Sequence, residues 1–206
     1  MRTDRLRARG ARKYRATTDS THGKPTAPNL LDRQFTAAAP NKAWVGDITY
    51  LWTREGWMYL AVFIDLYSRM VVGWKLGTRL TADLVTGAFE RARLRRRPAP
   101  GLLVHTDQGS QYVSDSFAKA LQSVSARLSM SRRGNCWDNA VAESFFHSLK
   151  VEAIHGSDIQ TRREMEQEVF DYVERFYNAR RRHSSIGYRS PKVFEQQQQQ
   201  PESLAA

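Results

Sequence analysis

Cysteine is nearly absent: the chain of 206 residues contains one, Cys136. An internal disulfide is therefore impossible, which excludes a small secreted fold held together by disulfide bonds. No apolar run reaches the ~18 residues that a membrane-spanning helix needs. The basic N-terminus has no apolar stretch behind it and so lacks the form of a secretory signal. These absences favour a soluble protein of a reducing compartment.

Acidic residues are also outnumbered, 21 against 32 Lys and Arg, so the formal net charge is +11. The excess lies toward the front, because residues 1–46 carry +7, residues 47–150 carry +5 and residues 151–206 carry −1. Lys and Arg that neutralise phosphates release counterions and drive nucleic-acid binding of any sequence. The charge therefore predicts a nucleic-acid partner, with a merely solvated basic surface as the alternative.

Composition divides the chain into three parts. Residues 1–40 are rich in Arg, Thr, Ser and Pro, which predicts a basic arm or linker. Strand and helix patterns begin after that, so residues 41–195 are expected to form the folded core with a helical extension at its end. Residues 196–206 begin with five consecutive glutamines and predict a disordered tail.

Apolar periodicity predicts a mixed α/β order in the core. Strand-like runs of β-branched and aromatic residues occur at 43–51, 57–65, 69–76, 102–105 and 127–130. Helical spacing occurs at 81–97, 114–124, 139–150 and 161–181. Three hairpin strands followed by alternating helices and strands indicate a mixed sheet with helices on both faces.

Three acidic residues stand out, because a protein that holds nucleic acid close has little reason to keep carboxylates at strand ends. Asp47 lies midway along the first predicted strand, Asp107 directly follows the fourth, and Glu143 lies early in the third predicted helix. Mg²⁺ and Mn²⁺ prefer carboxylate oxygens, and two such ions about 3.5–4 Å apart can assist phosphoryl transfer. Each acid alone is more often structural, so the combination is what indicates a catalytic metal site.

The helix that carries Glu143 presents two further candidates on the same face. Lys150 follows by seven residues, nearly two turns, which puts it about 10 Å further along the axis. Its ammonium is expected to reach a DNA phosphate, and His147 lies one turn from each. Two other carboxylates have structural explanations, Asp65 before a tight turn and Asp138 as a helix cap.

Polar loops beside the acids are candidate DNA contacts. The loop before the third helix contains Arg132, Arg133 and Asn135, which form a basic surface. The polar groups from Gln108 to Tyr112 either line the path of a DNA strand or form a solvated loop, and the residues leave both readings open.

Five segments closely resemble the DDE transposases of the bacterial insertion-sequence-three family, in the product of the second reading frame. They are WVGDITY (44–50), GWMYLAVFIDLYSRMVVGW (56–74), HTDQGSQY (105–112), RRGNCWDNAVAESFFHSLKVE (132–152) and RRHSSIGYRSP (181–191). The resemblance covers residues 1–195. It implies the α/β, ribonuclease-H-like fold of the retroviral integrase core, with a five-stranded mixed sheet flanked by helices.

The resemblance also implies a site and a reaction. The family's catalytic acids fall on Asp47, Asp107 and Glu143, with 35 residues between the last two, and its following basic residue falls on Lys150. The implied enzyme cleaves one DNA strand at each transposon end with Mg²⁺ or Mn²⁺, in a pair of ions. The exposed 3′-hydroxyl then attacks another phosphodiester, without a covalent protein–DNA intermediate.

The implied partners are DNA, further copies of the chain on DNA, and a first-reading-frame product that carries a helix-turn-helix. No helix-turn-helix pattern is visible in this chain, so a catalytically idle or truncated regulatory fragment is one alternative function. A structure-directed nuclease of the same fold is another, which the WVGDITY and GNCWDNA segments disfavour. For a bacterial protein of this kind we expect a cytoplasmic location in association with the nucleoid.

Overall fold

The computed structural model describes residues 25–199. Its strands are β1 (Ala43–Thr53), β2 (Gly56–Asp65), β3 (Val71–Gly77), β4 (Leu103–Thr106) and β5 (Arg127–Met130). Its α-helices are α1 (Ala82–Arg96), α2 (Asp115–Gln122), α3 (Ala140–Leu149), α4 (Arg162–Phe170) and α5 (Pro191–Gln199). Shorter turns are of the 3₁₀ type at Cys136–Asn139 and Ser184–Ile186, and of the π type at Lys150–Ile154 and Asp171–Tyr177. In this part of the chain, none of the helices has the length and apolar character of a membrane span.

The strands form one sheet in the order β3-β2-β1-β4-β5. β1, β2 and β3 are antiparallel neighbours, whereas β4 pairs parallel with β1 and β5 parallel with β4. The parallel half follows from the connections, because β4 and β5 are reached through α1 and α2, and parallel strands need such crossovers. The predicted five-stranded mixed sheet is confirmed.

Each face of the sheet is covered by its own helices. α1 and α2 pack on one face, and α1 buries the residues that its helical spacing predicts: Leu84, Val85, Ala88, Phe89 and Ala92. On the other face, Val45 and Leu51 of β1 pack in a cluster with Phe145 of α3 and Val169 of α4. The site residues of β1 therefore lie in a strand that is held from both sides.

The helix predicted over residues 161–181 changes type partway along. Thr161 and Glu164 form a capping box that starts α4, and α4 then widens into the π-type turn Asp171–Tyr177. A π turn holds more residues per turn than an α-helix, which shifts the apolar stripe. Phe176, predicted on the buried side, is consequently 42% exposed.

A buried polar cluster attaches α5 to the sheet. Arg96 donates to Glu195 at 2.7 and 2.8 Å and to Asp65 at 3.3 Å, and Ser68 donates to Glu195 at 2.6 Å. The Asp65 carboxylate also accepts the Asn41 N–H, which confirms its structural role beside the turn. Since α5 is anchored in this way, the glutamines 196–199 continue it as helix.

Two compositional boundaries are therefore wrong. Residues 196–199 belong to α5 and are not a disordered tail, because Gln is a good helix former once a helix is anchored. Residues 25–40, assigned to a basic arm, include Leu31, which is buried in the core under α3. The other parts of these two predictions, residues 1–24 and 200–206, lie outside the described residues.

Gly73 tests how closely β3 packs on α1. A Cβ at this position would meet the Ala88 carbonyl oxygen and come within 2.6 Å of the Ala92 nitrogen, both in the α1 backbone. We expect Gly73→Ala to lower the free energy of unfolding by about 1–3 kcal/mol, because the overpacked helix must shift. Urea denaturation measures this. Gly77→Ala is the control, because the nearest atom to its Cβ is the flexible end of Leu84. An equal loss in both variants would contradict the argument.

Candidate active site

Asp47 lies on β1, and Asp107 directly follows the neighbouring parallel strand β4. The last pair in the register of β1 and β4 is Val45 with His105, and each of the two acids lies two residues beyond that pair. Neighbouring strands are about 4.8 Å apart. β4 ends at Thr106 while β1 continues, and the two carboxylates are therefore placed where the parallel half of the sheet stops.

Asp47 has the electrostatics of a carboxylate in a cluster. Its pKa is raised well above the usual value, first by burial, then by the charge of Asp107, and also by Glu143. The Ile48 N–H, which donates to its Oδ1 at 2.7 Å, and the Lys150 ammonium lower the pKa. The other two acids and the lysine predicted from the sequence thus all lie within electrostatic reach of Asp47.

Glu143 is positioned by the way α3 begins. It lies in the first turn of α3 and is half-buried, and this burial raises its pKa. Just before it, the Asn139 side chain donates to the Gly46 carbonyl at 3.2 Å. Because Gly46 precedes Asp47 on β1, this bond ties the start of the Glu143 helix to the strand that carries the first acid.

Asp138 is not the helix cap that its position predicts. Asn139 is the N-cap of α3, and Asp138 lies fully buried in the preceding 3₁₀ turn. Its carboxylate accepts hydrogen bonds from Arg132, Arg33 and Asn29, and these, led by Arg132, hold its pKa well below the usual value. Local sequence could not show this, because Arg33 and Asn29 are more than 100 residues away.

The predicted DNA-contact residues divide into exposed and engaged side chains. Arg133 and His147 are exposed. Arg132 is also exposed, but its guanidinium is bonded to the buried carboxylate described above. The Asn135 Oδ1 accepts a bond from Arg33 at 3.1 Å. Of these four side chains, Arg132 and Asn135 are therefore engaged within the protein, whereas Arg133 and His147 are exposed.

Lys150 and Gln108 lie nearer the acids. The Lys150 Nζ lies 4.8 Å from the centre of the Tyr50 ring, a cation–π arrangement. Burial lowers the pKa of Lys150, and the charge of Asp47 acts in the opposite direction. Gln108 is half-buried immediately after Asp107. Lys150 is thus held between an aromatic ring and the carboxylate cluster.

Tyr112 fits neither of the two readings that the sequence leaves open for its loop, a DNA path or a solvated loop. Its side chain is buried beside Phe117, at 5.5 Å between ring centres. Burial, followed by Asp107 and Asp47, raises its pKa. Within residues 25–199 the hydroxyl has no hydrogen-bond partner. Inspection of the sequence missed this buried hydroxyl near the acids, because a Tyr in a polar loop gives no signal of burial.

The donor set of the site suits a hard divalent cation. All three acids offer carboxylate oxygens. The raised pKa of Asp47 reflects burial first and then the like charge of Asp107, and a bound cation would offset both. Among the described residues, no three His, Cys, Asp or Glu side chains converge closely enough to enclose an ion. The oxygen donors therefore have the chemistry to bind a divalent metal, but the three side chains lie too far apart to surround a single ion.

The fold is that of an integrase-type catalytic core. The structure matches a chain of the simian T-cell lymphotropic virus intasome with a TM-score of 0.65 and 18% identity, over 91% of this chain and 63% of that one. It matches the HTLV-2 integrase catalytic core, solved with magnesium, with a TM-score of 0.56 and 16% identity, over 77% of this chain and 98% of that one. The fold is the ribonuclease-H-like fold of these cores, as predicted.

Sequence comparison identifies the family. Residues 37–136 and 143–198 match two families described as integrase core domain. The transposase InsF for insertion sequence IS3fB of Escherichia coli strain K12 is 49% identical over 197 residues, 96% of this chain and 68% of the relative. The transposase for insertion sequence element IS904 of Lactococcus lactis is 51% identical over 168 residues, 82% of this chain and 66% of the relative. The chain belongs to the IS3-family transposases.

The raised pKa of Asp47 predicts a pH-dependent cost to stability. Such a carboxyl destabilises the fold above its folded-state pKa, and the cost disappears as the pH falls toward the unfolded value of about 3.9. We expect Asp47→Asn to raise the Tm of the metal-free protein near pH 7.5, by about 2–4 °C per kcal/mol gained. The difference in Tm between Asp47→Asn and the unmodified protein should narrow on acidification to about pH 4, where the carboxyl of the unfolded chain begins to bind its proton.

Thermal unfolding in a chelating buffer at several pH values measures this gap. Asp158→Asn is the control, because that side chain is 80% exposed and forms an ion pair with the exposed Arg54. A Tm unchanged by Asp47→Asn, or a gap that widens as the pH falls, would show that Asp47 does not have a raised pKa.

Proposed function

We propose that this transposase cleaves and joins DNA strands with Asp47, Asp107 and Glu143 as its catalytic acids. The observation that supports this most is that Asp47 and Asp107 each lie two residues beyond the last β1–β4 pair, within electrostatic reach of each other, with Glu143 and Lys150 also acting on Asp47. The chain spans about two thirds of the curated relatives, so the substrates and partners of the whole protein are part of the proposal.

The same three carboxylates would hold Mg²⁺ or Mn²⁺, and two ions are expected from the family. Bound there, the ions would stabilise the attacking and leaving oxygens at phosphorus. The magnesium in the HTLV-2 integrase core supports this part of the proposal. In the chain itself, the Ile48 N–H and the Gly109 N–H, which donate to the Asp47 and Asp107 carboxylates at 2.7 and 3.0 Å, orient the ligand oxygens.

Basic and polar side chains around the acids would bind the DNA. Lys150, held beside Tyr50 and the acid cluster, would contact a phosphate next to the reacting one. The exposed Arg133 and His147 would contact the backbone on either side. Three further proposed contacts are Arg132, Asn135 and Gln108. Arg132 also donates to the buried Asp138 carboxylate, and the Asn135 Oδ1 accepts a bond from Arg33.

The wider setting is proposed from the family. The matched simian viral chain is part of an intasome, which supports action as a homo-oligomer on DNA, with transposon ends and target as substrates. A first-reading-frame product with a helix-turn-helix would supply recognition of the ends. We infer a cytoplasmic protein that acts at the nucleoid.

Asp107→Asn tests the catalytic assignment. The Asn Oδ1 can keep the hydrogen bond from the Gly109 N–H, so folding and non-specific DNA binding should be retained. Cleavage and joining should fall at least about a thousandfold, because a metal site contributes several kcal/mol to the transition state. A strand-transfer assay with oligonucleotides that bear transposon ends, in Mg²⁺ or Mn²⁺, measures both steps, and chelation should abolish them.

Asp158→Asn serves as the matched control and should keep wild-type rates. Wild-type activity in Asp107→Asn would show that this residue is not catalytic. An unmodified chain that binds DNA but neither cleaves nor joins it would favour the regulatory alternative, and efficient cleavage of RNA–DNA hybrids would favour the nuclease alternative.

The two arginines of the loop before α3 should respond differently to substitution. Arg133→Ala should weaken non-specific DNA binding uniformly across sequences, reduce the slope of log K against log salt by about 1, and leave the Tm unchanged. Arg132→Ala should also lower the Tm, because it removes donors from the buried Asp138 carboxylate. Fluorescence anisotropy at several salt concentrations, with thermal unfolding, separates the two; identical behaviour would contradict the assignment.

A further inference from the structure

A short segment before β1 lies across the sheet edge close to the site. We call residues 28–33 the strap. The Pro28 carbonyl accepts a hydrogen bond from the Met130 N–H at 3.3 Å. The Leu31 side chain is buried in the core. The strap then turns sharply, with φ of +40° at Asp32 and +61° at Arg33. Non-glycine residues are strained in this conformation and persist in it only where their surroundings hold them.

One set of bonds joins the strap to the strand that leads to Asp107. The Ser129 Oγ accepts from the Leu30 and Leu31 N–H groups at 2.9 and 3.2 Å. It also lies 2.8 Å from Nδ1 of the buried His105.

The bond partners assign the tautomer of this ring. Since the Ser129 Oγ accepts from the strap, its hydroxyl proton is free to go to the His105 Nδ1, which leaves the proton on Nε2. Nε2 then donates to the Ser131 Oγ at 3.1 Å, and that hydroxyl donates to the Thr106 carbonyl at 3.3 Å. A continuous hydrogen-bonded chain therefore runs from the strap to the residue before Asp107.

A second set of bonds joins the strap to the start of the Glu143 helix. The Asn29 Nδ2 and the Arg33 Nε donate to the two oxygens of Asp138 at 3.1 and 2.8 Å. The Arg33 Nη2 donates to Asn135 at 3.1 Å. Asp138 lies in the 3₁₀ turn that runs directly into α3, so the strap holds the turn that leads into the helix of Glu143.

We propose that the strap positions the active site by holding the segments of Asp107 and Glu143 at a set distance from each other. The strap is bonded to both segments. The Ser129–His105–Ser131 chain connects it to the segment of Asp107, and the Asp138 carboxylate connects it to the segment of Glu143. Arg33 is accordingly a positioning residue, since it touches neither acid. The catalytic consequence rests on the function proposed above, whereas the structural link does not.

Arg33 is the residue to change, because Asp138 keeps Arg132 and Asn29 as partners when Arg33 is truncated. In the full chain, Arg33→Ala should increase hydrogen exchange of the backbone amides at residues 139–146 at least about tenfold, with α1 unchanged. The maximal strand-transfer rate at saturating DNA and Mn²⁺ should fall about 10- to 100-fold, as is typical for residues that orient ligands. DNA affinity without metal should not change.

Arg33→Lys should recover part of both effects, because it restores a cation beside Asp138. Arg54→Ala is the matched control, since it removes an arginine from an exposed ion pair with Asp158, and it should change neither readout. Hydrogen exchange at residues 139–146 that stays at the wild-type level, or that rises equally in α1, would contradict the positioning role proposed for the strap. If exchange rises as expected while the unmodified chain shows no strand transfer, the strap stands and the proposed function fails.

Discussion

The carboxylates near the end of β4 repel one another, and the rest of the fold must hold them in place against this repulsion. Parallel pairing of β1 and β4 brings Asp47 and Asp107 near each other, two residues beyond the last pair, and burial is the larger part of the cost of charging Asp47. Groups so placed lower the stability of a protein unless a cation joins them. A polypeptide that keeps such an arrangement must hold it with the rest of its fold, and much of the surrounding structure supplies that support.

The support comes from both faces of the sheet and from one edge. Apolar clusters cover each face and hold β1 firmly. Beside the site, the side-chain amide of Asn139 donates to the Gly46 carbonyl of β1. The Asp138 carboxylate accepts hydrogen bonds from the strap and from the loop before α3. The buried Asp138 is well compensated, with an Arg on either side, whereas Asp47 is not. This difference separates a structural carboxylate from a candidate catalytic one.

The basic character of the chain also has two uses in the structure. Arg33, Arg96 and Arg132 are bonded to buried or half-buried carboxylates and stabilise the fold. Arg133 is exposed beside the site and suits a phosphate. The count of 32 Lys and Arg therefore overstates the number of cations available to DNA, because some of them are paired with carboxylates inside the protein; the net charge of +11 already allows for these pairs.

The strand and helix order, the buried face of α1 and the three acids could all be read from local patterns, because periodicity and residue type carry that information. The role of Asp138, the burial of Tyr112 and the helix at glutamines 196–199 could not, because each depends on distant partners. Phe176 shows the same limit, since a π-type turn moved it out of the predicted stripe. The sequence alone determined which residues could form the site and the sheet. Only the tertiary structure decided which charges are compensated, because compensation depends on side chains more than 100 residues apart that meet through folding.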